Sequence, residues 1–273
     1  MSPSTIFSKY IQLSFHVGFA LISLVQLFSM KISLKTANNY ENFELLISLF
    51  LSCVLGYNFT KGILQLKKNT PTEKLFHISL FIILLLGLFK LPIRTLFVFV
   101  INLIGTIGYI IPNKNGKNWR EQGVLKSFIV AICWANAIVL TQWIHYTIHF
   151  TELFIYQYSA IILLIIALII PFDIRDMEHD PYYLQTIPKI LGVQKSKILC
   201  MILLTGFCFC ALQIPSNALL FEKGYQYGIW SIFILTSILV LCMPKNTPKY
   251  YCSFWIEAVP IFGFFIALIA EII

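Results

Sequence analysis

The chain has 273 residues, 58% of them hydrophobic and 12% charged, with a formal net charge of +8 and a mean hydropathy of +0.81. A soluble globular domain carries about 25% charged residues, so a water-facing fold, a disordered chain and a secreted disulfide scaffold are excluded. Nucleic acid is excluded as well, because a basic patch needs a solvated face to present it. The positive excess suits anionic lipid headgroups and the loop bias that orients membrane helices.

Taken in chain order, apolar runs recur at 10–30, 43–62, 75–89, 92–111, 124–146, 152–172, 197–214, 227–243 and 253–272. A helical crossing uses about 20 residues, so the pattern predicts an all-α polytopic bundle of nine transmembrane helices. No polar stretch between the runs is long enough for a separate soluble unit, and residues 1–273 read as one transmembrane domain. The first run lacks a small-residue cleavage pattern and reads as a span rather than a removed signal. Lys90-Leu91-Pro92 makes a hairpin of the third and fourth runs. With the N-terminus cytoplasmic, 15 Lys and Arg fall in cytoplasmic loops and 5 on the opposite side. The positive-inside rule therefore places the N-terminus in the cytoplasm and the C-terminus across the membrane, which is the inner membrane in a bacterium.

Seven cysteines lie mostly inside apolar runs with no CxxC among them, and they read as small hydrophobes. His145 and His149 stand at i, i+4 beside Trp143, Tyr146 and Phe150, as an interfacial belt or, alternatively, a metal pair. Asn102, Asn136 and Glu257 read as helix–helix hydrogen bonders and Glu271 as a solvated terminus.

The segment Pro171-Phe-Asp-Ile-Arg-Asp-Met-Glu-His-Asp-Pro181 concentrates four of the chain's 12 acids. On a helix continuing past Pro171, Asp173, Asp176 and Asp180 share one face at i, i+3 and i+7, and Pro181 ends the helix at Asp180. Stacked carboxylates repel unless compensated. One solution is Mg²⁺, which takes oxygen ligands and shares them with substrate phosphates; the other is pairing with Arg175, Lys189 and Lys197. After the second run, Asn58, Lys61 and Gln65 repeat the same spacing, each copy preceded by an aromatic residue (Tyr57, Phe172). Two copies four spans apart on one side are what a duplicated four-helix unit with a ninth helix appended produces.

Nine spans with polar motifs after the second and sixth resemble the UbiA-type intramembrane prenyltransferases. Asp173-Ile-Arg-Asp-Met-Glu-His-Asp180, followed by Thr186-Ile-Pro-Lys-Ile-Leu-Gly192, is similar to that family's second aspartate-rich motif and its trailing residues. The resemblance implies transfer of a prenyl group from a prenyl diphosphate to a lipophilic, often aromatic, acceptor in the bilayer. It implies catalytic, Mg²⁺-binding roles for Asp173, Asp176 and Asp180, and anion-facing roles for Arg175 and, from the loop after the fourth span, Tyr109 and Lys114. The chain departs from the family at its first motif, where Asn58, Lys61 and Gln65 replace three acids, and at Gln185, where a Lys is usual. An amide, an ammonium and an amide cannot hold a cation. Lys61 then serves as a diphosphate counter-charge beside Asn58 and Gln65, and one Mg²⁺ suffices instead of two. The competing reading is a non-catalytic descendant that binds a prenyl lipid, quinone or protein partner; a transporter would need helices broken near the midplane.

Overall fold

The computed structural model describes residues 3–32, 39–62, 71–112, 118–213, 222–244 and 246–273, and every regular element among them is helical. In chain order the helices are α1 (Pro3–Gln12), α2 (Phe15–Ile32), α3 (Asn39–Gly62), α4 (Pro71–Leu88), α5 (Ile93–Ile110) and α6 (Val124–Ala135). They continue as α7 (Thr141–His145), α8 (Glu152–Asp176), α9 (Ile187–Leu191), α10 (Val193–Leu212), α11 (Glu222–Leu241) and α12 (Glu257–Ile272). A π-helical turn, Asn136–Leu140, joins α6 to α7, and another, Tyr251–Ile256, leads into α12. Proline marks the beginnings: Pro71 opens α4 and Pro92 precedes α5, where a missing N–H costs nothing.

Helix-to-helix packing follows chain order and then closes. α2 packs on α3, α3 on α4, α5 on α6, α6 on α8, α8 on α10, α10 on α11, α11 on α12, and α12 returns to α2. α8 is the buried member of the ring, with Ala160, Ile161, Leu164, Ala167 and Ile170 fully enclosed. Its Pro171 cannot donate to the carbonyl one turn back. Cys200 on α10 fills that gap, its Sγ lying 3.4 Å from Ala167 O. α11 and α12 approach closely along glycines: a Cβ on Gly224 would meet Ala267 O at 2.6 Å, and one on Gly228 would meet Gly263 O at 3.0 Å. Small residues allow such approach where lipid supplies no hydrophobic drive between helices.

The protein is a multi-pass membrane protein. Among the described residues seven helices are long and apolar enough to cross a membrane, or eight if one bent pair counts as a single span, where nine were expected. That pair is α1–α2, bent by 61° between Gln12 and Phe15, where Ser14 adopts φ 62°. The expected third span is α4, whose apolar part, Lys74–Leu88, falls short of the roughly 20 residues a crossing needs. Side-chain contacts nevertheless fix which helix ends lie together. Lys90 pairs with Glu44 at 2.7 Å, Arg94 donates to His145 O at 3.0 Å, and Glu271 accepts from Gly224 N at 2.8 Å. The first joins the end of α4 to the start of α3, and the last ties down the glutamate expected to be solvated.

Replacing Gly263 with leucine should force α11 and α12 apart and destabilise the protein by about 1–3 kcal/mol. Thermal unfolding in detergent, compared with an exposed Phe262→Leu control, measures this.

Candidate functional site

The polar helix ends gather at the end of the bundle opposite the Lys90–Glu44 pair. The break between α1 and α2 is held by Asn58 of α3, whose Nδ2 donates to Leu13 O at 3.0 Å while its Oδ1 accepts from Ser14 Oγ at 3.0 Å. One helical turn on, Lys61 Nζ donates to the same Ser14 Oγ at 2.9 Å and lies 6.0 Å from the Tyr57 ring centroid. Asn58 thus has both ends of its amide engaged in clamping the break, whereas Lys61 is exposed. Gln65 and Lys114 lie outside the described residues.

On the other side, α8 runs through Pro171 as expected but ends at Asp176, four residues short of the expected Asp180. Asp180 sits on the turn beyond, its N–H donating to Asp176 O at 2.9 Å, so only Asp173 and Asp176 share the helix. Each has taken a cation. Lys126, at the start of α6, pairs with buried Asp173 at 2.8 Å. Arg175 grips its neighbour Asp176 through Nε at 2.7 Å and Nη2 at 2.9 Å, and stacks over Phe172. Lys189 donates to the carbonyls of Asp180 and Pro181 at 2.8 Å, and Lys197 to those of Leu241 and Met243. Among the described residues neither lysine pairs with an acid; both close loop and helix ends, which is where cations favour a helix. Lys126 was legible in sequence only as loop charge, because its partner comes from a different helix.

The two sides are near each other. Glu257, the first residue of α12, interacts electrostatically with Lys61 of α3 and with Arg175 of α8. Tyr109, at the end of α5, does so with Arg120, Lys126 and Asp173. Tyr57 of α3 is hydrogen bonded to Trp134 of α6 and lies within range of Tyr109 and Glu257. Cys53, Tyr57 and Glu257 are each half-buried. The sequence placed Glu257 among the helix–helix hydrogen bonders, because a lone acid in an apolar run carries no spacing signal; among the described residues it makes no such bond.

Two carboxylate oxygens at this end, Asp173 Oδ2 and Asp180 Oδ2, are buried without a hydrogen-bond partner. Among the described residues no three His, Cys, Asp or Glu side chains are grouped to hold a metal. That donor set does not fit an all-protein cage. It fits a hard cation bound by one or two carboxylates that completes its shell with phosphate and water. The alternative metal pair at His145 is occupied otherwise: its Nδ1 lies 3.0 Å from Thr95 Oγ1 in the core. Asn136 and Asn102 do bond across helices, Nδ2 to Oδ1 at 3.1 Å, with Tyr158 donating to Asn136 Oδ1 at 2.8 Å.

The chain superimposes on the solved structure of a digeranylgeranylglyceryl phosphate synthase in membranes, with a TM-score of 0.59 over 96% of this chain and 99% of that one. It shares that synthase's fold. Sequence identity is 16%, so the likeness is one of architecture. No protein-family model and no curated protein matches the chain.

Lys126→Met should cost about 3–5 kcal/mol by leaving Asp173 buried and unpaired. Lys126→Met combined with Asp173→Leu should recover most of it, and Arg175→Met, whose pair is more exposed, should cost less. Thermal melts of the four proteins in one detergent test the order.

Proposed function

We propose that this protein is a divergent intramembrane prenyltransferase that transfers a prenyl group from a prenyl diphosphate to a lipophilic acceptor, aromatic in one variant of the reading. The observation that carries the reading is the placing of Lys61 of α3 and Arg175 of α8 within electrostatic range of one residue, Glu257, at the end of the bundle that holds the unpartnered oxygens of Asp173 and Asp180. The shared architecture with a prenyl-lipid synthase agrees with it.

In this reading the diphosphate head lies between the ends of α3 and α8. Lys61 takes the place of a first-site metal as a fixed positive charge, and Arg175 offers its face from α8 while holding Asp176. Asp173 and Asp180 would hold a single Mg²⁺, which would supply positive charge to the departing diphosphate. Tyr109, which interacts with Lys126 and Arg120, offers its hydroxyl to the same head group. Ionisation of the C–O bond leaves an allylic cation. The aromatic faces of Tyr57 and Trp134 stabilise it, and the surrounding apolar helices keep water away. The bilayer is both solvent and source of the acceptor. The N-terminus and both polar helix ends face the cytoplasm and the C-terminus the other side, in the cell membrane of a bacterium, as the loop charges require.

A second reading, a prenyl-lipid or quinone binder without turnover, draws on the Lys126–Asp173 and Arg175–Asp176 pairs, since paired acids persist without a metal. One assay separates the two. Protein reconstituted in lipid with labelled prenyl diphosphate and Mg²⁺ should release diphosphate, and Asp173→Asn or Lys61→Met should slow release by about a hundredfold. Mg²⁺ dependence should saturate at one ion per chain. Binding without release in all three proteins establishes the second reading; a requirement for two ions rejects the role given to Lys61.

A further inference from the structure

The break between α1 and α2 puts a serine where the backbone favours glycine. Ser14 adopts φ 62°, a left-handed conformation that is costly for a residue with a Cβ and easy for glycine. Strain of this kind persists where the surrounding contacts over-determine it. Ser14 is fully enclosed, and both hydrogen bonds of its side chain lead to α3.

The direction of those bonds follows from the groups that make them. Asn58 Nδ2 donates to Leu13 O at 3.0 Å, so the other end of the amide, an oxygen that only accepts, is turned to Ser14. The Ser14 hydroxyl proton therefore goes to Asn58 Oδ1 at 3.0 Å. That leaves the lone pairs of Ser14 Oγ for Lys61, whose ammonium only donates and lies 2.9 Å away. With its proton committed, Ser14 has no donor to offer an anion. It acts on Lys61.

The effect on Lys61 is geometric. A lysine ammonium is a point charge on a flexible stem, aimed by whatever it bonds. Among the described residues Lys61 pairs with no acid, and Ser14 Oγ takes one of its three N–H groups. An acidic partner would cancel the charge, whereas a buried hydroxyl holds it in place and leaves it whole. The break is also held from its other side. Tyr10 Oη of α1 lies 2.9 Å from His16 Nδ1 of α2, and His16 Nε2 lies 2.9 Å from Phe254 O in the π-helical turn before α12. Loss of the Ser14 hydroxyl thus removes the aim of Lys61 and leaves these ties on α1 in place.

We propose that Ser14 is a positioning residue, which fixes the Lys61 ammonium for the diphosphate head of the substrate; this rests on the role given to Lys61 in the prenyltransferase reading. The left-handed turn at Ser14 then belongs to the binding site, because it presents the hydroxyl to α3.

The test measures binding of labelled geranylgeranyl diphosphate, and release of diphosphate, by full-length protein in lipid vesicles with Mg²⁺. Ser14→Gly and Ser14→Ala both remove the hydroxyl, but only alanine keeps the strained backbone. Both should weaken binding by about tenfold, while the alanine protein melts at the lower temperature. In a Lys61→Met background, Ser14→Gly should weaken binding by less than about twofold, because a residue that acts through Lys61 has nothing left to act on. The glycine variants carry the test if the alanine variant does not purify folded. Binding by Ser14→Gly at wild-type strength overturns the positioning role and leaves the prenyltransferase reading intact. A loss of about tenfold that persists in the Lys61→Met background overturns it too, by making Ser14 a support of the fold. Wild-type protein that binds without releasing diphosphate overturns the prenyltransferase reading, while the binding ratios still decide the role of Ser14. Wild-type protein that does not bind overturns both.

Discussion

A carboxylate placed at the end of an apolar helix must find a cation, and the pairing of Asp173 with Lys126 is the contact on which this end of the bundle depends. Both groups are largely withdrawn from water, so their attraction is strong and so is the penalty for separating them. The pair ties the end of α8 to the start of α6. It also aims one oxygen of Asp173 at Lys126 and leaves the other without a partner. The same contact thus stabilises the ring and leaves one oxygen free for a ligand.

Charge at this end is arranged by helix of origin. Cations come from α3, α6 and α8, acids from α8, the turn after it and α12. Arg175 is held by its immediate neighbour Asp176 and also interacts electrostatically with Glu257. Because the surrounding helices are apolar, these few charges act on one another with little screening. An anionic head group entering among them exchanges hydration for fixed dipoles and charges rather than for lipid, which is the physical condition for binding a diphosphate at a membrane.

Asn58 illustrates how one position can change its work. The spacing of Asn58 and Lys61 relative to the acids of α8 is visible in the sequence, and it singled out the ends of α3 and α8. What Asn58 does there is different from ligand binding by geometry: it satisfies Leu13 O and Ser14 at a broken helix. That break is itself invisible to hydropathy, since the residues around Ser14 read as part of one apolar run. Lys126 and Glu257 were passed over for a related reason. Each draws its meaning from a residue more than 40 positions away, and neither belongs to a repeated pattern.

Composition, hydropathy period and loop charge determined that this is a helical membrane protein, how its runs alternate, and that acids cluster after the sixth of them. Those properties are local, being sums over neighbouring residues, so they survive without knowledge of the fold. Tertiary structure decided that the first span is bent and α4 short, that α8 stops at Asp176, and that Asp173 belongs to Lys126. It also decided that Glu257 interacts electrostatically with both Lys61 and Arg175. These outcomes depend on which helices become neighbours, and in a chain apolar on nearly every face that choice rests on close packing and a handful of buried polar contacts.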